Sequence, residues 1–223
     1  MRTPPSRLLW FVIFLVLWAA PVETHNSAVA QSPKRATSTP YTGDLSIFES
    51  PDREQKLHID RVMDVLGLAS GKGVADIGAG SGWFTVRAAQ RVGPSGTVYA
   101  VDINPEAIHY IDQRVKKQSL SNVKTILSTP DDPKLPKEGV DAVLLLKTYH
   151  EVADPVALLD HLRPALRPGA RLGIIDRNGD GTNHGINRQM VVNEAARAGY
   201  HLIDAYDFVK DDGMDYFLLF TTR

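Results

Sequence analysis

The stretch "VADIGAGSGWFT", residues 74–85, constrains the fold more than any other part of the chain. A short apolar run, glycine at alternate positions and then a mixed apolar segment read as strand, sharp turn and helix. Gly78, Gly80 and Gly82 let the main chain bend tightly and let a ligand approach the backbone without meeting a Cβ, while the following helix presents unpaired N–H groups. A glycine-rich turn alone is a weak signal, because a tight turn with no ligand has the same spelling. The next segment strengthens it. After a helix through Val86, Ala89 and Val92, stopped by Gly93-Pro94, "TVYAV" (97–101) reads as a second strand ending in Asp102. A carboxylate there can accept hydrogen bonds from both hydroxyls of a nucleoside ribose. Asn104, followed by Pro105, is the better-placed helix cap, which leaves Asp102 free for a ligand.

The same alternation runs from about residue 48 to the end of the chain. Ser50 and Pro51 predict the start of a helix with Ile59, Val62, Met63 and Leu66 on one face and Gly67 as its stop; "GVADI" (73–77) is then the first strand. Ile108, Ile111 and Val115 share a helical face, "VKTIL" (123–127) is a third strand, and "VDAVLLL" (140–146) is a fourth, buried on both sides by its continuous apolar character. Asp154-Pro155 opens a helix in which Pro164 predicts a kink or an early end. "RLGIID" (171–176) is a fifth strand, and residues 187–198 form a helix ending at Gly199. "HLIDAYDF" and "MDYFLLFTT" read as two strands joined through Asp211, Asp212 and Gly213. Strands alternating with helices predict a three-layer α/β fold around a doubly wound, mostly parallel sheet, and the short last connection makes the C-terminal strand antiparallel.

"LLWFVIFLVLWAA" (8–20) is the greasiest run, yet as a helix it rises only about 20 Å against roughly 30 Å of bilayer hydrocarbon. With Arg2 and Arg7 before it and Ala28-Val29-Ala30 before Gln31, residues 1–30 read as a removable export signal. A retained membrane anchor is the second reading and a buried helix the third. Either of the first two carries the body out of the cytoplasm, to the periplasm or beyond, with membrane contact only through this segment if it is kept. Residues 31–45, rich in Ser, Thr and Pro, read as a disordered linker, and residues 46–223 as one domain. The 223-residue chain has 25 basic and 26 acidic residues, a mixed balance that leaves no electrostatic footprint for nucleic acid. It has no cysteine, which excludes disulfides, thiolate zinc sites, a cysteine nucleophile and a lipidated-cysteine anchor.

Nicotinamide and S-adenosylmethionine proteins both use this succession of strand, glycine turn, helix, strand and acid. A dinucleotide fingerprint wants a small residue where this chain has Trp83, and Asp76 suits an ammonium better than a pyrophosphate. Over residues 48–223 the chain resembles the class I S-adenosylmethionine-dependent methyltransferases. "VADIGAGSG" looks like their first motif, "VYAVDINPEAI" like the second, "STPDDPKLP" like the third and "VDAVLLLKTYHEV" like the fourth. The closing strand pair is similar to that of their seven-stranded Rossmann-like sheet, and the nearest flavour is the small-molecule group that includes quinone-biosynthesis methyltransferases. This resemblance implies S-adenosyl-L-methionine as cofactor and a small-molecule acceptor. It implies Asp76, Gly78, Gly80 and Gly82 at the methionine end, Asp102 and Ile103 at the ribose and adenine, and Asp131 or Asp132 at the adenine amino group. Lys147 would edge the methionine moiety.

Methyl transfer from a sulfonium is an in-line displacement that needs a base only if the nucleophile carries a proton. "KTYHEV" supplies His150 as the candidate base and Tyr149 as a residue orienting the acceptor or lying near the sulfonium. The alternative is that His150 and Glu151 merely cap the next helix. "DRNGDGTNHG" (176–185) sets Asp176, Asn178, Asp180 and Gly181 at the opening spacing of a calcium loop, but its twelfth position is Asn187 and a strand precedes it. It reads better as a polar loop at the site's mouth, with His184 a substrate contact. His25, His58, His109, His161 and His201 show no metal-ligand spacing, so no metal is expected. Two other readings are an exported binding protein with a nucleoside pocket and no turnover, and a nicotinamide oxidoreductase, against which Trp83 and the final strand pair argue.

Overall fold

The computed structural model describes Met1, Arg35, residues 37–210 and residues 212–222; the apolar run 8–20, the expected cleavage site and Asp211 lie outside the described residues. The body of the protein is the compact unit from Ser32 to Arg223. Its seven strands are β1 (Gly73–Ile77), β2 (Thr97–Asp102), β3 (Val123–Leu127), β4 (Val140–Leu146), β5 (Leu166–Arg177), β6 (Tyr200–Tyr206) and β7 (Asp215–Thr222), in the spatial order β3-β2-β1-β4-β5-β7-β6. All neighbours from β3 to β5 are parallel, and β7 runs antiparallel to both β5 and β6. The expected reversal of the last strand is therefore present, with β7 inserted between its neighbours. The strand order reverses at β1 and β4, and such a crevice at the carboxyl ends is where ligands bind in open α/β sheets.

Helices α1 (Arg53–Leu57), α2 (Ile59–Leu66), α3 (Trp83–Val92) and α4 (Pro105–Lys117) precede β4; α5 (Pro155–Leu162) and α6 (Arg188–Arg197) follow it. One sheet face packs Val74, Leu144 and Phe217 against Val62, Leu66 and Phe84, and the other packs Leu145, Ile174 and Leu218 against Leu159, Leu162 and Val191. Local chemistry sets the helix starts. The Asn104 side chain accepts from Glu106 N at 2.9 Å, Asp154 from Ala157 N at 3.1 Å, and Asn187 from Gln189 N at 2.9 Å. Helix α5 stops at Leu162 and gives way to a 3-10 turn containing Pro164, the early end expected of a proline there.

Two departures from the sequence reading have physical causes. The first expected helix is broken at His58, which adopts φ 46° and ψ 49°. Leu57 and Ile59 are both buried, and residues two apart cannot share a face of one helix, so the break turns both inward. Strand β5 begins five residues before Arg171, at Leu166, because a register shift lets Val140 pair with Leu166 and Ala142 with Arg171. The stretch read as a linker is laid against the domain: Arg35 pairs with Glu194 at 2.7 Å, and the buried Ser38 hydroxyl accepts from His184 N at 2.9 Å. No helix among the described residues is long and apolar enough to cross a membrane.

Candidate active site

At the carboxyl ends of β1, β2 and β4 lies a cavity of about 860 Å³, closed over in part by Tyr41, Leu45, Ile47 and Phe48. The glycine turn forms its floor. Gly78 sits at φ 72° and donates to Val101 O at 2.8 Å, and a Cβ on it would overlap the Thr148 side chain. Gly80, at φ 53°, donates to Asp102 Oδ2 at 2.8 Å, while Asp102 Oδ1 accepts from Asn104 N at 2.9 Å. Each carboxylate oxygen is thus oriented by one backbone N–H and keeps acceptor capacity at the cavity wall. Ile103 is half exposed beside it, presenting an apolar edge. The bare backbone, the fixed carboxylate and the cavity size fit an adenosyl group bearing a short amino-acid arm.

A second cluster stands across the cavity. His150, only 3% exposed, follows β4 on a 3-10 turn (Tyr149–Glu151). Its Nδ1 lies 2.9 Å from Asp176 Oδ1 and its backbone N donates to Asp176 Oδ2 at 3.0 Å, so the fully buried Asp176 at the end of β5 fixes the ring. A carboxylate accepts only, so Nδ1 carries a hydrogen, and in the neutral ring Nε2 holds the lone pair. That Nε2 is buried without a hydrogen-bond partner, 3.7 Å from Glu151 Oε1. The His184 ring stands edge-on to it at 5.6 Å between centroids. Burial pushes the Glu151 carboxyl up to about 7, against the opposing pull of His150. His150, Glu151 and His184 all line the cavity.

The remaining predicted site residues divide. Lys147 lines the cavity, but its ammonium is ion-paired with buried Asp215, and burial holds its pKa below the usual lysine range. Gly82 starts α3 against Ile111, and Asp76 is 2% exposed beneath the turn, where Thr85 Oγ1 donates to it at 2.6 Å; neither is part of the wall. Asp131 is exposed and Asp132 half-buried, and both are spent on their own turn, Asp131 accepting from Thr129 Oγ1 and Asp132 from Lys134 N; Ser128, Thr129 and Pro130 line the wall there. Tyr149, expected to orient the acceptor or lie near the sulfonium, is not among the residues that line the cavity. It is fully buried in the core, donates its hydroxyl to Glu194 Oε2 at 3.0 Å and lies under the Arg35 guanidinium, because adjacent residues of a tight turn point apart. In the polar loop, Asp180 is held by Thr182 and Asn178 Oδ1 accepts from Arg188 N, so the calcium-like spacing does not converge. Arg53, absent from the sequence reading, also lines the cavity; it stacks 4.6 Å over Trp83, and burial draws its guanidinium down to about 10 against the pull of Asp76.

The methyltransferase domain family matches residues 68–204. Among curated proteins, the arsenite methyltransferase of Halobacterium salinarum is 33% identical over 109 residues, 49% of this chain and 28% of that protein. A demethylmenaquinone methyltransferase of a Geobacillus species is 28% identical over 110 residues, 49% of this chain and 47% of its own. This chain thus spans less than half the length of either relative. Among solved structures, a SAM-dependent methyltransferase from Aquifex aeolicus superposes with a TM-score of 0.72 at 26% identity, covering 80% of this chain and 98% of that one. With the match across more than half its length, the seven-stranded sheet with its reversed β7 and the glycine turn facing Asp102, the chain belongs to the class I S-adenosylmethionine-dependent methyltransferase family.

Proposed function

We propose that this protein transfers a methyl group from S-adenosylmethionine to a small acceptor whose nucleophile carries a dissociable proton, such as a hydroxyl. The observation that carries this reading is His150 at the cavity wall, its Nδ1 held by Asp176 and its Nε2 buried without a partner. The glycine turn and Asp102 would hold the nucleoside, Ile103 would cover the adenine, and Arg53 is the cation available to the amino-acid carboxylate. When bound, the cofactor supplies an electrophilic methyl on a sulfonium. The chain's own work is to hold the acceptor in line, keep water out with Tyr41 and Phe48, and offer the Nε2 lone pair to the acceptor's acidic proton. Small-molecule methylation by the two relatives supports the acceptor class, and the lack of cysteine removes soft thiolate ligands for a metalloid acceptor. We further read residues 1–30 as the signal that exports the domain.

The test is calorimetric titration with S-adenosylmethionine and with NAD, followed by a methyl-transfer screen over phenolic, quinol and other hydroxyl acceptors. The expected result is binding of the former only, with turnover that falls by about 10²–10⁴-fold in His150→Ala while cofactor affinity is kept. No S-adenosylmethionine binding sinks the reading, and binding without turnover on any acceptor favours an exported binder.

A further inference from the structure

We infer that His150, Glu151 and His184 form a binding site for a borderline divalent first-row cation, at the acceptor end of the cavity. One ligand atom from each of the three lies within 4.8 Å of the others. His150 is already prepared as a ligand. Its Nδ1 is held by Asp176 at 2.9 Å, so that the neutral form of the ring offers its Nε2 lone pair, the arrangement in which metal-binding histidines are oriented by a carboxylate behind them. The residue is 3% exposed and its Nε2 has no hydrogen-bond partner, with Glu151 Oε1 standing off at 3.7 Å, so this orphan atom itself points to a ligand.

Donor chemistry selects the ion. Two imidazole nitrogens and one carboxylate oxygen suit zinc, iron or cobalt, whereas magnesium and calcium want all-oxygen shells. Ligands about 2.0–2.2 Å from a common centre stand roughly 3–3.5 Å apart, so the widest separation in the cluster, up to 4.8 Å, must contract by about 1.3–1.8 Å. His184, exposed on the loop between β5 and α6, is the member free to swing. Three protein ligands leave positions open, and these face the cavity, so the acceptor class becomes a molecule with an oxygen that can coordinate the ion. The inference rests on the proposed function in placing the acceptor beside His150. An ion held there would take Nε2 as a ligand in place of its role as base, and would supply the acidity of a coordinated hydroxyl, whose proton would pass to water.

The experiment uses the untagged full-length chain, stripped with chelator, and titrates it with Zn²⁺ by calorimetry and with Co²⁺ by visible absorption. His184→Asn removes a ligand at a position with φ 57° that asparagine tolerates, and Glu151→Gln removes the anionic one. The expected result is one equivalent bound by the wild-type protein and an affinity loss of at least about 10-fold in each variant, with the metal-free Tm of His184→Asn unchanged. No stoichiometric binding, or wild-type affinity in both variants, overturns the inference. S-adenosylmethionine is titrated into the same samples. Cofactor binding without zinc binding defeats the metal site alone, and zinc binding without cofactor binding defeats the proposed function alone.

Discussion

Asp76 lies beneath the glycine turn at 2% exposure, and burial raises its carboxyl from 3.8 to about 6, against the hydrogen bond from Thr85 and the charge of Arg53. Substituting Asp76→Asn removes the titration while keeping the shape. A carboxyl whose folded pKa is raised contributes stability that is whole below its unfolded value and is lost as pH rises through the folded one. Here the loss runs from about pH 4 to a little above 6. A difference of about 2 pH units at about 1.36 kcal/mol each makes it about 3 kcal/mol. The amide introduces a constant offset, because its NH₂ is buried without a partner at about 1–3 kcal/mol, so the quantity to measure is the change with pH. Urea unfolding of both proteins from pH 4 to 8 should show the variant gaining about 3 kcal/mol on the wild type, a relative midpoint shift of about 1.5 M if m is near 2 kcal/mol/M. Arg53→Gln in the wild-type background should move the step to higher pH, since it removes a charge that favours the carboxylate. A difference between the two proteins that stays constant across the range refutes the assignment of a strained, buried Asp76.

Three further outcomes rest on the same geometry. Asp102→Ala should weaken S-adenosylmethionine binding on the order of 10–100-fold, as measured by calorimetry, through lost charge-assisted hydrogen bonds; unchanged affinity would remove Asp102 from the ribose site. Gly78→Ala combines a left-handed backbone with a clash on Thr148, so Tm should fall by roughly 5–15 °C, and a Tm within about 2 °C of wild type would show that the turn has room to relax. Asp176→Asn presents an amide donor to Nδ1 and should flip His150 to the tautomer protonated on Nε2, visible in its ring ¹⁵N shifts; an unchanged tautomer would mean Asp176 does not set it.

Strands β1 and β4 are legible to the residue, because each is a largely apolar run whose ends are marked by Gly or charged neighbours, and a buried parallel strand needs little else. The break at His58 is not legible in this way. Nothing local forbids a helix through "REQKLHIDRV"; what breaks it is that Leu57 and Ile59 both have a place in the core, a fact of packing. The extension of β5 back to Leu166 similarly depends on its neighbour, since the shifted register is a property of the pair.

The candidate site splits along the same line, one half legible in the chain and the other not. Gly78, Gly80 and Asp102 belong to one βαβ unit, so their meeting is dictated by a short segment of chain, and the family match over residues 68–204 covers it whole. The acceptor half is assembled from distant pieces. His150 meets Asp176 because Leu146 pairs with Ile175, which sets the residues just past β4 beside the end of β5; the adjacency of these strands was the signal that could have joined the two. Whether His150 or Tyr149 turns to the cavity depends on the phase of a three-residue turn, which no periodicity can fix over so short a span. The wall formed by Tyr41, Leu45, Ile47, Phe48 and Arg53 lies before the matched segment altogether. If this wall shapes the acceptor end of the cavity, substitutions at Tyr41 or Phe48 should change which acceptor is used while leaving cofactor affinity near that of the wild type.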